Sequence, residues 1–178
     1  MKIMLFFLFP WMFVLDNPNA TIDHPHHDVT CTRTFKPIEN RDVQIFEQAC
    51  RIENIETVSI CYPDAQGRCA WTYELIKHSK AGPQLIELSE LFVQNTADLE
   101  AILNQEIKKA RQTRLAANPS TCLQEVKEKS YVLNDFSMSL LEPDQVAFVV
   151  DYGLSPECIT KSREFAYFTY SDLKTYME

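Results

Sequence analysis

Residues 95–119, NTADLEAILNQEIKKARQTRLAANP, decide the fold class. Leu99, Leu103, Ile107 and Ala110 recur at i, i+4, i+8 and i+11, with Ile102 beside them, and mark one buried face of a helix. Asn95 or Thr96 can cap it, and Asp98 and Glu100 place negative charge in its first turn. Lys108, Lys109, Arg111 and Arg114 load its other end, where the helix dipole favours cations, and Asn118-Pro119 stops it. The basic cluster therefore reads as a helix-end feature rather than as a binding patch.

Strand patterns lie on both sides of this helix. Upstream, Ile55–Ile60 and Trp71–Ile76 are rich in β-branched and aromatic residues and flank a Pro-Asp and Gly turn, so they read as a hairpin. Ala81-Gly82-Pro83 breaks the chain, and Gln84–Phe92 holds a short strand or turn built on Leu85, Leu88, Leu91 and Phe92. Downstream, Tyr131–Leu140 and Gln145–Tyr152 form a second hairpin around Glu142-Pro143-Asp144. Phe136, Met138 and Leu140 alternate with Asp135, Ser137 and Ser139, which predicts one wet face. Val146–Val150 is apolar throughout, as in a central strand covered on both sides. Phe165–Thr169 is a last strand, and Ser171 can cap a terminal turn over Asp172–Met177. Two blocks of strands with one long helix between them predict an α+β domain, a mostly antiparallel sheet backed by that helix and stabilised by disulfides.

The stretch before the first hairpin is less patterned. Residues 21–40 are polar and punctuated by proline, and read as a flexible arm that becomes ordered near Cys31. Asn40 can cap a helix over Arg41–Cys50, with Val43, Phe46 and Cys50 on one face; Val43 and Ile45 also alternate, so a strand stays open. Met1-Lys2, an apolar run from Ile3 to Leu15 and a small residue at Ala20 read as a signal peptide over residues 1–20. The run is shorter than the ~20 residues that span a bilayer, so no stable membrane insertion is expected after cleavage. Residues 21–178 are then one domain in a periplasmic or secreted protein.

Cys31, Cys50, Cys61, Cys69, Cys122 and Cys158 all lie beyond that segment and would meet an oxidising compartment. Six cysteines allow fifteen pairings. Local geometry puts Cys61 with Cys69 across the turn at Tyr62–Arg68 and Cys122 with Cys158 in two Pro-containing loops, which leaves Cys31 with Cys50; the other pairings stay open.

Charge and composition exclude several classes of function. A net charge of −8 argues against nucleic acid and anionic lipid, and suits a protein kept soluble by its acidity or one that meets a basic partner. His24, His26 and His27, with Asp23 and Asp28, are the only cluster of metal-ligand types, but an arm offers no preformed geometry, so no metal or cofactor is expected. His78 is the only other histidine, no Gly-x-Ser-x-Gly occurs, and the three glycines Gly67, Gly82 and Gly153 make no phosphate-cradling loop. Paired carboxylates could serve a glycosidase, yet among 25 acidic residues none is singled out. No catalytic residue is expected, and the chain does not read as an enzyme. Trp71, Tyr73, Tyr131, Tyr167, Tyr170 and Tyr176 are candidate interface anchors, though at strand spacing such residues more often pack a sheet.

One resemblance sharpens this. Leu88-Ser89-Glu90-Leu91-Phe92, the long helix, Phe136-Ser137-Met138-Ser139, Val146–Tyr152 and Phe168–Met177 occur in that order. The region from Gln84 to Met177 resembles the extracytoplasmic C-terminal domain of RsiV-type anti-sigma factors, a domain also found beside some peptidoglycan deacetylases. The resemblance implies binding rather than catalysis, since the RsiV-type domain is a lysozyme receptor and the deacetylase active site lies on a separate domain. Two departures are visible: no cytoplasmic segment precedes the apolar run, and six cysteines exceed what the pattern requires. The expectation is a non-catalytic binding protein for a protein ligand or cell-wall component, in its sharp form a lysozyme-binding protein or inhibitor. The alternative is a cell-envelope sensor or structural subunit acting through a membrane partner. The turn at Tyr62–Arg68 and the loop at Gly153–Ser162 are the stapled loops expected to meet the partner.

Overall fold

A computed structural model of the protein describes residues 28–38, 44–117, 121–124, 126–155, 158 and 162–177. The signal-peptide segment, His24, His26, His27 and the Asn40 cap lie outside them. Five strands, β1 (Thr30–Pro37), β2 (Gln44–Ile52), β3 (Ile55–Pro63), β4 (Cys69–Ser79) and β5 (Gly82–Leu85), form an antiparallel meander in chain order. Helices α1 (Leu88–Leu91), α2 (Thr96–Ala117) and α3 (Thr121–Gln124) follow. Strands β6 (Phe136–Leu141), β7 (Gln145–Asp151) and β8 (Arg163–Thr169) make a second antiparallel sheet, followed by α4 (Tyr170–Leu173) and a 3-10 turn over Lys174–Tyr176. The architecture is α+β, with the antiparallel strands divided between two sheets.

The two hairpins follow from period-two alternation. On β3, Ile55, Thr57, Ser59 and Cys61 are buried while Glu56, Val58 and Ile60 are only partly so. β2 turns into β3 through Glu53-Asn54, with Glu53 in the left-handed region at φ 51°. That residue is held from outside the turn: its carboxylate accepts from the Tyr170 hydroxyl at 3.1 Å and from Lys174 Nζ at 2.8 Å.

Three expectations need correction, and one reading left open is decided. Residues 30–37, read as part of a flexible arm, form β1, an edge strand paired along its whole length with β2. Its residues are mostly exposed, so it carries too few apolar positions to look like a strand. Residues 44–50, read as helix or strand, are strand throughout. The serine face of β6 is wet only at one end: Asp135 is exposed and Ser137 partly so, but Ser139 is buried, and its hydroxyl meets the buried Ser59 hydroxyl of β3 at 3.0 Å. The helix cap near Ser171 is Thr169, whose Oγ1 accepts from the Asp172 N–H.

The two sheets meet through β6. It is an edge strand of the smaller sheet, and an edge strand presents backbone groups without a ladder partner. The face of β3 supplies one instead: Leu140 N–H donates to Thr57 Oγ1 at 2.8 Å, with both residues buried. Beyond this seam lies a core of Leu99, Leu103 and Ile107 from α2 against Val146, Phe148 and Ala166 from the small sheet, closed by Phe92, Tyr170 and Leu173.

One face of α2 also anchors the irregular segment that precedes β6. Glu100 Oε1 accepts from Leu133 N–H at 2.9 Å. Asn104 exchanges two hydrogen bonds of 2.8 Å with the Tyr131 backbone. Arg111 Nη2 donates to the carbonyls of Leu123 and Val126. Arg114 donates to the Arg163 carbonyl and pairs with the buried Glu164 at 2.9 Å. Half of the basic cluster at this helix end is therefore tied into tertiary structure, beyond any service to the helix dipole.

Candidate functional site

The face of the large sheet that carries the core does not stay covered along its length. At one end Cys50, Ile52, Ile55 and Leu75 are buried; at the other, Phe35 is 64% exposed, and Phe46, Trp71 and Tyr73 are half-buried. The pairing register explains why these rings form one surface. Phe35 lies opposite Phe46, Phe46 opposite Cys61, and Cys61 opposite Trp71, so four strands each contribute one residue to a row on the same face. The ring centroids follow at 5.2 Å for Phe35–Phe46 and 5.9 Å for Phe46–Trp71. Tyr73, two residues along β4, stacks on Trp71 at 6.4 Å with the planes 17° apart.

The small sheet extends this surface. The Arg163 guanidinium lies 6.0 Å from the Tyr73 ring centroid, donates to the Trp71 carbonyl at 3.5 Å, and faces Asp151 at 3.5 Å. Phe165 and Tyr167, on the same strand and face as Arg163, stack at 6.1 Å, and Tyr167 is 57% exposed. Burial pushes the Tyr73 phenol above its ordinary pKa, and Arg163 opposes that shift. The phenol is therefore neutral near pH 7 and available as a hydrogen-bond donor.

Three disulfides join Cys31 to Cys50, Cys61 to Cys69 and Cys122 to Cys158, as in proteins of an oxidising compartment. The second closes the Tyr62–Arg68 turn beside the aromatic row, because Cys61 is itself a member of that row. Asp64 organises the turn: Oδ1 accepts from the N–H groups of Gln66 at 2.8 Å and Arg68 at 2.9 Å, and Oδ2 from Arg68 Nε at 2.7 Å. The bond from the Arg68 backbone, with those from its side chain and Gln66, holds the Asp64 carboxyl below its ordinary pKa. Of the second expected loop, residues 156–157 and 159–161 lie outside the described residues. Its base is tied by the Ser162 hydroxyl and the Gly153 N–H, both donating to Asp151 Oδ1 at 2.8 Å. Both loops thus border the aromatic surface at their bases.

Of the six candidate aromatic anchors, Trp71, Tyr73 and Tyr167 lie on this surface. Tyr131 and Tyr170 are in the core, and Tyr176 packs against it. Phe35, Phe46, Phe165 and Arg163 were missed; the alternation Cys31, Arg33, Phe35 on a strand would have pointed to the first of them. His78 is held by Glu56 at 2.6 Å, and no serine or thiol bonds it among the described residues. Among those residues no group of three His, Cys, Asp or Glu side chains is placed to hold a metal ion, and no helix is long and apolar enough to cross a membrane. Compared with known proteins, the chain matches no protein-family model, no curated protein and no solved structure.

Proposed function

We propose that this chain is a non-catalytic binding protein, periplasmic or secreted, that seats a protein partner on the aromatic surface formed by Phe35, Phe46, Trp71 and Tyr73. The observation that carries the reading is that a core-forming sheet face continues into solvent as a row of rings. Aromatic side chains flanked by an arginine are the usual anchors of protein interfaces. The adjoining turn is braced by a disulfide and by Asp64, so little ordering entropy is lost when it meets a partner. The resemblance to the RsiV-type domain and the charge of −8 make a basic lysozyme the sharpest candidate, because complementary charge speeds encounter.

The test is titration of the oxidised protein into a c-type lysozyme at physiological salt, with muramidase activity followed in parallel. Saturable binding is expected, and Trp71→Ala should weaken it by about 30-fold, the effect of one interface hot spot. Unchanged melting would show that the variant is folded. Binding that persists after alanine replaces Phe35, Phe46 and Trp71 together would displace the interface from this face. Absence of binding would remove the lysozyme reading, and a pull-down on purified cell-wall sacculi would then decide for or against a wall ligand.

A further inference from the structure

The other side of the fold holds a cleft of about 480 Å³ between α2 and residues 127–131, floored by Tyr152. That volume falls in the range of small-molecule sites, roughly 300–1,000 Å³. None of the rings of the aromatic surface lines it. What sets it apart is its charge. On a chain of net charge −8, Lys108, Arg111, Lys127 and Lys129 converge here, with Glu128 the single carboxylate among the lining residues. Glu128 meets Lys108 only at 3.7 Å, with both side chains exposed, a pairing that neutralises little. Lys127 makes no ion pair among the described residues, and Lys129 lies over the Tyr131 ring at 4.5 Å.

The guanidinium of Arg111 is held in place at the cleft. Arg111 is fixed by its Nη2 bonds to Leu123 and Val126, but its Nε is buried without an acceptor. The Tyr152 hydroxyl, also buried, is turned toward Glu164 behind the floor. Buried polar groups are almost always paired, so a guanidinium clamped at the cleft with one N–H left unpaired is a second observation beside the charge. The nearest carboxylate behind the floor, Glu164, is engaged by Arg114 at 2.9 Å. The rings of Tyr131 and Tyr152, with Ile107, supply apolar wall between these groups.

We infer that this cleft binds a small organic anion, a carboxylate or phosphate carried on a compact ring. The lysines at the rim draw the charge in, Arg111 meets it, and the tyrosine rings cover its body. Such a site is independent of the aromatic surface, so Trp71→Ala should leave it intact.

The experiment uses the oxidised protein and three probes: N-acetylmuramic acid, glucose 6-phosphate and neutral N-acetylglucosamine. Binding is read by titration calorimetry and by the NMR signals of Tyr131 and Tyr152. At least one anion should saturate these signals and bind at least about tenfold more tightly than the neutral sugar, with affinity falling as salt rises. Which anion does so identifies the charged group. Lys127→Ala with Lys129→Ala, both exposed, should weaken that binding about tenfold with little change in the melting temperature. The inference is overturned if neither anion saturates, if the neutral sugar binds equally well, or if the lysine pair makes no difference.

Discussion

Thr57→Val is the most informative single change, because it removes one atom's chemistry from the seam between the sheets and almost none of its volume. Thr57 is 1% exposed and Leu140 fully buried, so water cannot replace the lost acceptor of the Leu140 N–H. A buried donor left unpaired costs about 1–3 kcal/mol. With a urea dependence of about 2 kcal/mol per molar, the unfolding midpoint should fall by about 1 M at the centre of that range. The neighbouring Ser59–Ser139 pair is the internal control. Ser59→Ala or Ser139→Ala alone should each be destabilising, whereas the double variant should cost less than their sum, since removing both partners leaves nothing unpaired. Urea melts with the disulfides intact compare all four variants with the parent. A Thr57→Val midpoint within about 0.2 M of the parent, or strictly additive serine costs, would refute a hydrogen-bonded seam and leave apolar packing alone to join the sheets.

Asn104→Ala should release the segment before β6, because one side chain holds both backbone groups of Tyr131. A cost of about 2–3 kcal/mol is expected, with lost hydrogen-exchange protection at the Tyr131 amide; unchanged protection there would show that Glu100 and Arg111 suffice. Glu164 and Asp64 should give pH dependences of opposite sign. Burial raises the Glu164 pKa above its ordinary 4.5, with Arg114 only partly offsetting, so the folded chain binds more protons in the interval above 4.5 and stability falls as pH rises through it. Glu164→Gln should remove that fall. Asp64 is lowered below its ordinary 3.8, so its contribution is complete above that value and fades as pH drops toward the folded pKa; carboxyl NMR titration of the two residues checks both directions.

What was legible in the residues was periodicity. Leu99, Leu103 and Ile107 repeat on one face of α2, and the unbroken run Val146–Val150 marks a strand covered on both sides. What escaped was whatever depends on a distant partner. Ser139 looks solvated until Ser59 is brought against it from the other sheet. β1 looks like an arm because an edge strand can be polar on both faces, its stability coming from the ladder to β2. The aromatic surface was half legible for the same reason: Trp71 and Tyr73 stand on an evident strand, but Phe35 and Phe46 join them only through the β1–β2–β3 register. Alternation alone could not separate Tyr73, at the surface, from Tyr170, in the core.

The position of α4 along the chain sets the order in which the molecule can be built. The meander β1–β5 pairs each strand with its immediate neighbour, and its two internal disulfides span only 19 and 8 residues. Such local contacts form early and fast. The second half is different. Tyr170, Leu173 and Met177 plug the core beneath Phe92, and Tyr170 and Lys174 reach back to Glu53 in the β2–β3 turn. A chain emerging from synthesis N-terminus first would thus carry a paired meander whose core, shared with the small sheet, stays open until Tyr170 to Met177 arrive. In that interval the Leu99 face of α2 is exposed apolar surface, which makes the nascent intermediate, rather than the mature fold, the natural client of a chaperone.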